Sequence, residues 1–173
     1  DLEWDLKTYR NEKSVSYENR YAEIVYEYED GKDSYTSQSS LTTDDAKDVT
    51  YVAYKQHFFS SILLTDTPFA TSKMTSENLV KDEIIDTTFT KNFKSVIPLA
   101  FKGGEINYNM NWYYGPTDYR ILNDYKRNLD EIVPLGWGIF GWINRYVFIP
   151  TYDFLTMFFP YGIAIIVFTI LVR

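Results

Sequence analysis

Glu105-Ile106-Asn107-Tyr108-Asn109-Met110-Asn111-Trp112-Tyr113-Tyr114 is the stretch whose spacing decides the fold. Ile106, Tyr108, Met110 and Trp112 alternate with Asn107, Asn109 and Asn111, and a period of two puts the apolar set on one face of a strand and the amides on the other. One face packs and the other is wet; a row of asparagines can also hold a ligand, but solvation is the ordinary reading. Just before it, Lys94 to Phe101 reads as a second strand, and Lys102-Gly103-Gly104 between them reads as a hairpin turn. Further out, Ala22, Ile24, Tyr26 and Tyr28 alternate with Glu23, Val25, Glu27 and Glu29, again a half-buried strand. Asp30-Gly31 and then Ser34-Tyr35-Thr36 predict a hairpin after it. Ser39 to Lys47 is polar and acidic and reads as a loop. Thr50 to Leu64 is apolar on both phases, at Tyr51-Val52-Ala53-Tyr54 and again at Phe58-Phe59 and Ile62-Leu63-Leu64, so it is placed centrally in a sandwich, covered on both faces. The 16 tyrosines and 12 phenylalanines suit strands. A sugar-binding aromatic platform is the less economical use of them.

At Gly115-Pro116 the period changes. Leu122, Tyr125, Leu129 and Ile132 are spaced as one face of a helix, Pro116 suits its start, and Thr117 or Asp118 can cap it. Pro134-Leu135-Gly136 ends it. Gly136 to Phe159 is then nearly continuous in apolar and aromatic residues, with Pro150 expected to kink or divide it. Trp137, Trp142, Arg145 and Tyr146 fit anchors of a helix lying in the headgroup region of a bilayer; a buried core helix is the alternative. Phe154 to Val172 is uncharged and mostly apolar, and about 20 such residues cross a bilayer. A span from Phe154 would carry Arg173 to the far interface. A span from Pro160, better placed at a first helical turn than inside a helix, would leave Arg173 near the bilayer middle. The expected organisation is a partial β-sandwich over 1–115, an amphipathic helix and linker over 116–135, an interface helix over 136–159 and the start of a transmembrane helix over 160–173. With Asp1-Leu2-Glu3-Trp4 at one end and this run at the other, the sequence reads as a piece of a longer membrane protein.

Composition narrows the function. Up to Leu135 there are 15 basic and 23 acidic residues, because Arg145, Arg173 and Asp153 lie beyond it, and the balance is −8. Such a surface repels nucleic acid and anionic headgroups. The absence of cysteine excludes disulfides, thiolate metal sites and cysteine catalysis. The single histidine, His57, falls within the central strand pattern and reads as a core or edge residue. Asp44, Asp45, Asp48, Asp82 and Glu83 read as solvated loop charge. No phosphate loop, nucleophile elbow or zinc motif is present, so neither an enzyme nor a cofactor is expected.

Tyr51 to Leu63, Tyr114-Gly115-Pro116, Leu135 to Asn144, Tyr161 to Ile166 and Thr169 to Arg173 together resemble the YidC-type bacterial membrane protein insertases, in the flavour of the Bacteroidetes. Tyr51 stands where many relatives carry tryptophan. The resemblance implies a periplasmic β-supersandwich, an interfacial helix and the opening of an insertase core. It further implies an inner-membrane protein, with residues 1–135 in the periplasm, working without cofactor on nascent membrane-protein clients, alone or beside the SecYEG translocon. Arg173 matches the arginine of the hydrophilic groove that receives clients. A membrane-tethered periplasmic β-sandwich that binds carbohydrate or protein is the competing reading.

Overall fold

The computed structural model describes residues 1–86, 88–101 and 103–173. They form two compact units, Asp1–Val133 and Pro134–Arg173. The first is a single antiparallel sheet in the order β1-β6-β5-β4-β2-β3, with β7 on β5. Its strands are β1 (Leu2–Tyr9), β2 (Glu23–Tyr28), β3 (Lys32–Tyr35), β4 (Leu41–Lys55), β5 (Phe59–Asn78), β6 (Phe89–Ile97) and β7 (Met110–Pro116). A short helix α1 (Val15–Tyr21) follows β1. The mainly β, antiparallel fold with helices after it is the class that the alternation implies.

One sheet makes a sandwich because its two longest strands bend. Tyr54 on β4 pairs with Ser61 on β5, whereas Ser95 on β6 pairs with Met74, thirteen residues further along β5. Straight strands would hold Tyr54 and Ser95 about 40 Å apart. Yet the Tyr54 hydroxyl donates to the Trp4 carbonyl at 2.9 Å and lies 2.7 Å from Ser95 Oγ, whose hydroxyl can donate to it, and its ring stacks on Trp4 at 3.7 Å. The bend is visible in the register: a step of two residues on β4, from Val49 to Tyr51, is matched by a step of five on β5, from Phe69 back to Leu64. Asp48 takes a left-handed φ of 52° there, and Pro68 sits in the bulged stretch, where its missing N–H does no harm. The folded halves enclose Ile24, Tyr26, Val52, Tyr54, Leu63, Phe69, Met74, Phe93 and Ile97. Outside the second half of the sandwich, Val25, Tyr51, Ala53, Ile62, Leu64 and Tyr113 are covered by Leu122, Leu129 and Ile132.

Several expectations are corrected by this arrangement. Thr50 to Leu64 is not one strand but the end of β4, a turn at 56–58 and the start of β5; the central, doubly covered place holds for Tyr51–Tyr54 and Ile62–Leu64, whereas Phe58 and Phe59 at the turn are exposed. His57 therefore lies in the turn, half-buried, stacked on Tyr21 and Phe58 with Nδ1 3.4 Å from Glu12 Oε1. Residues 41–47 are strand, not loop: Thr43 and Asp45 face water opposite Thr75 and Lys73, leaving Ala46 as the buried residue of that stretch. β6 and β7 do not pair with each other but border different lengths of β5. Of the turn proposed between them, Lys102 lies outside the described residues. Ile106 precedes β7 and is exposed, Tyr108 and Met110 pack on the inner core, and Trp112 is half-exposed against Trp4. The amphipathic helix is shorter than its spacing suggests. α2 (Tyr119–Asp124) starts on Asp118, whose carboxylate accepts from the Arg120 and Ile121 amides. Left-handed Lys126 and Asn128 then break the chain before a 3-10 turn at Leu129–Ile132.

Candidate membrane-facing helices

Residues 134–173 have three charged side chains, Arg145, Asp153 and Arg173, and wind into three helices, α3 (Gly138–Ile143), α4 (Ile149–Phe158) and α5 (Tyr161–Val172). The entry turn is tight. Gly136 and Gly138 have φ of 99° and 59°, and a Cβ on Gly141 would collide with the Gly136 carbonyl. Glycine is required at 141 by that close approach. Asn144 Nδ2 donates to the Leu135 carbonyl at 2.6 Å and closes the turn. Between α3 and α4 the backbone makes one π turn, Asn144–Phe148, with the Ile149 amide reaching back to the Asn144 carbonyl. The cause is Pro150, whose ring has no amide to donate and crowds the preceding turn. The helical path therefore continues through Pro150. The break comes at Phe159 and Pro160, both extended, with Pro160 capping α5.

α4 and α5 fold back on one another. Leu155 and Ala164 are buried between them, Phe148 and Tyr152 meet the Phe168 ring edge-on, and Tyr152 meets Tyr161. Almost everything else apolar points outward: Trp137, Ile139, Phe140, Trp142, Phe154, Met157, Phe158, Ile166, Ile170 and Leu171 are exposed. Exposed apolar surface on this scale marks a membrane or partner interface. Among the described residues no helix is long and apolar enough to cross a membrane; α5 has 12 residues.

Each residue singled out from the sequence falls within this unit. Trp137 precedes α3 and is 84% exposed. Trp142 and Tyr146, one helical turn apart, are ring neighbours at 5.8 Å, and Arg145 lies between them in the π turn. Arg173 ends α5, exposed, about 18 Å along the helix from Tyr161. Among the described residues no hydrogen bond, ion pair or ring contact joins Trp137 or Arg173 to the Trp142–Tyr146 pair. Sequence reasoning missed the Gly136–Gly141 contact and the Leu155–Ala164 seam. The spacing of Gly136, Gly138 and Gly141 was the available signal for the first.

Residues 1–150 match the family described as the YidC periplasmic domain. The chain belongs to that family. The match runs through the whole sheet, across the boundary at 133–134 and through the π turn to the start of α4. Among curated relatives, the membrane protein insertase YidC of Parabacteroides distasonis is 30% identical over all of this chain, and that of Porphyromonas gingivalis W83 is 31% identical over 98%. The chain spans 28% of each of those proteins. A third, YidC of Azobacteroides pseudotrichonymphae, is 28% identical over all of the chain and 29% of its own length. Residues 1–150 thus belong with the periplasmic domains of the YidC family, and the Bacteroidetes flavour of the motifs agrees with these relatives.

Proposed function

We propose that this chain serves a membrane protein insertase: its sheet stands in the periplasm and its helices seat it on and in the inner membrane. One observation carries the reading. Within residues 134–173 the usual burial rule is inverted, with both tryptophans and most phenylalanines and isoleucines exposed, Phe148 and Phe168 part-covered, and only Leu155 and Ala164 fully inside. Lipid is the solvent that this surface suits. On this reading residues 136–159 lie at the interface, anchored by Trp137, Trp142, Arg145 and Tyr146, and residues 160–173 enter the hydrocarbon.

The break at Pro160 supports a span that starts at Tyr161 rather than at Phe154. Arg173 then stands about 18 Å into a hydrocarbon core about 30 Å thick. A charge at that depth costs about 2.5–3.5 kcal/mol even on the lenient insertion scale, unless it faces water or a partner. A hydrophilic groove would relieve that cost, and its arginine would draw acidic residues of nascent clients across. The work needs neither cofactor nor covalent chemistry and is done alone or beside the SecYEG translocon. The test is insertion by the full-length protein carrying Arg173→Lys or Arg173→Ala. Lysine should preserve more activity than alanine, with the widest gap for clients bearing acidic translocated tails. Equal insertion by the two variants would remove Arg173 from the groove.

A further inference from the structure

The connection from β5 to β6 carries two isoleucines and hides neither. Ile84 is 86% exposed and Ile85 76%, and Ile84 is the most exposed large apolar side chain among the described residues, above even Trp137. A slack loop would let such side chains fold back onto the sheet. This one is closed on itself. The Asp86 carboxylate accepts from the Lys81 and Asp82 amides at 2.8 and 2.9 Å. The Asp82 carboxylate accepts from the Ile84 and Ile85 amides at 2.9 and 3.4 Å, and the Asp86 amide returns to the Asp82 carbonyl at 2.8 Å. Arg10 fastens the loop from outside. Its guanidinium donates to the main-chain carbonyls of Glu83 at 2.7 Å, Asp86 at 3.3 Å, Lys13 at 3.1 Å and Glu12 at 3.4 Å. An arginine used in this way fixes the position of a backbone. The two isoleucines stand out because the chain beneath them is held from within and from without.

We propose that Ile84 and Ile85 anchor a docking surface for another protein, one that offers an apolar socket rimmed by lysine or arginine. β-Branched side chains on a fixed backbone lose little freedom when they are buried, which is what an interface anchor requires. Charge selects the occupant. Residues 81–86 hold three acids, Asp82, Glu83 and Asp86, against Lys81 alone, a balance of −2, so a basic rim is the complement. The same charge argues against lipid. A loop that dips into a bilayer sets aromatic rings and cations among the headgroups, and here acids stand in their place. It argues against a second copy of the chain as well, because a two-fold contact would bring the acids of both loops together. The apolar surface is continued by Tyr9, the residue before Arg10, which is exposed and lies 4.9 Å from the Phe89 ring. A surface this small fits a transient partner rather than a permanent subunit.

Photocrosslinking of the full-length protein in its native host cells tests this. With p-benzoylphenylalanine in place of Ile84, irradiation should give one discrete adduct with another protein. Mass spectrometry should place the link in an apolar peptide flanked by lysine or arginine. In the same chain Ile85→Glu should lower the adduct yield by about tenfold, the loss that follows removal of an anchor. Glu83→Lys should lower it too, which a merely sticky surface would not show. Both variants should keep the Tm of the unaltered sheet, because the side chains that they change are exposed. The same probe in place of Glu77, exposed on β5, should give no such adduct. The proposal is overturned by no adduct, by a lipid adduct alone, by a link between two copies of the chain, or by an equal adduct from position 77. It is overturned as well by a link in a peptide without lysine or arginine, by a yield that either variant leaves unchanged, or by a fall in Tm on Ile85→Glu, which would make the pair part of the core.

Discussion

Phe58 at the tip of the β4–β5 turn and Ile166 on α5 are equally exposed, at 61%, yet they belong to opposite designs. Around Phe58 the first unit follows the rule for a water-borne protein. Most of its large apolar side chains are enclosed between bent strands, and the exposed ones come singly or in pairs such as Phe58-Phe59 and Ile84-Ile85 on an otherwise polar surface. Around Ile166 the exception is the rule. The difference teaches that 1–133 is held together by what it hides, whereas 134–173 is stable only where something other than water covers it.

The sharpest break of that comparison is a pair of truncations. Phe69→Ala, from the enclosed core, should lower the unfolding free energy of the sheet by about 3–5 kcal/mol. Phe158→Ala, from the exposed helical surface, should leave that unfolding unchanged in a denaturant titration followed by far-UV circular dichroism. Similar losses from both would show the helical surface to be part of the sheet's core.

A second effect separates the units by pH. Lys91 is fully buried, and its ammonium donates to the Ala22 carbonyl at 2.7 Å and the Asn19 carbonyl at 3.4 Å, holding the end of α1. Burial pulls this lysine down to about 8, against the charge of Glu23, which raises it. Between about 8 and the unfolded value near 10.5, the unfolded chain binds more protons, so stability must rise with pH across that window. The Tm of the sheet should climb from pH 8 to pH 10, and Lys91→Met should flatten the climb.

Smaller still is Gly141→Ala, expected to cost about 1–3 kcal/mol by forcing the added methyl into the Gly136 carbonyl. Limited proteolysis should then open 135–144 while the sheet stays intact. Gly162→Ala, where a Cβ meets nothing within 4 Å, should be silent. Smallest is Asp118→Ala, which removes the cap of α2 and should lower the Tm of the sheet by the equivalent of about 1 kcal/mol.

How much was legible follows the same division. β2, the β2–β3 hairpin and the apolar ends of β4 and β5 could be read because their apolar residues are concentrated in short runs, although β2 is buried on both faces and not, as its alternation suggests, on one. The first half of β4 and the second half of β5 could not, because their outer faces carry Asp45 and Lys73 into water and so little is apolar that the period vanishes. β1 does alternate, Leu2, Trp4 and Leu6 against Glu3, Asp5 and Lys7, and was legible but went unread. The pairing of β6 and β7 to different lengths of β5 is non-local, and Gly103-Gly104 pointed to a hairpin instead. In the helical unit, composition alone announced the exposed surface, and Pro160 announced the break before α5. The π turn and the Gly136–Gly141 contact were hidden because they depend on which turns meet in space.

The central claim, that water covers one unit and lipid the other, can be tested in a chain without cysteine. Phe58→Cys and Ile166→Cys start from equal exposure. With the chain bound to preformed lipid vesicles, a membrane-impermeant maleimide should label the cysteine at 58 as fast as it does without vesicles. Labelling at 166 should fall to background. Equal labelling of the two positions in the presence of vesicles would contradict the account.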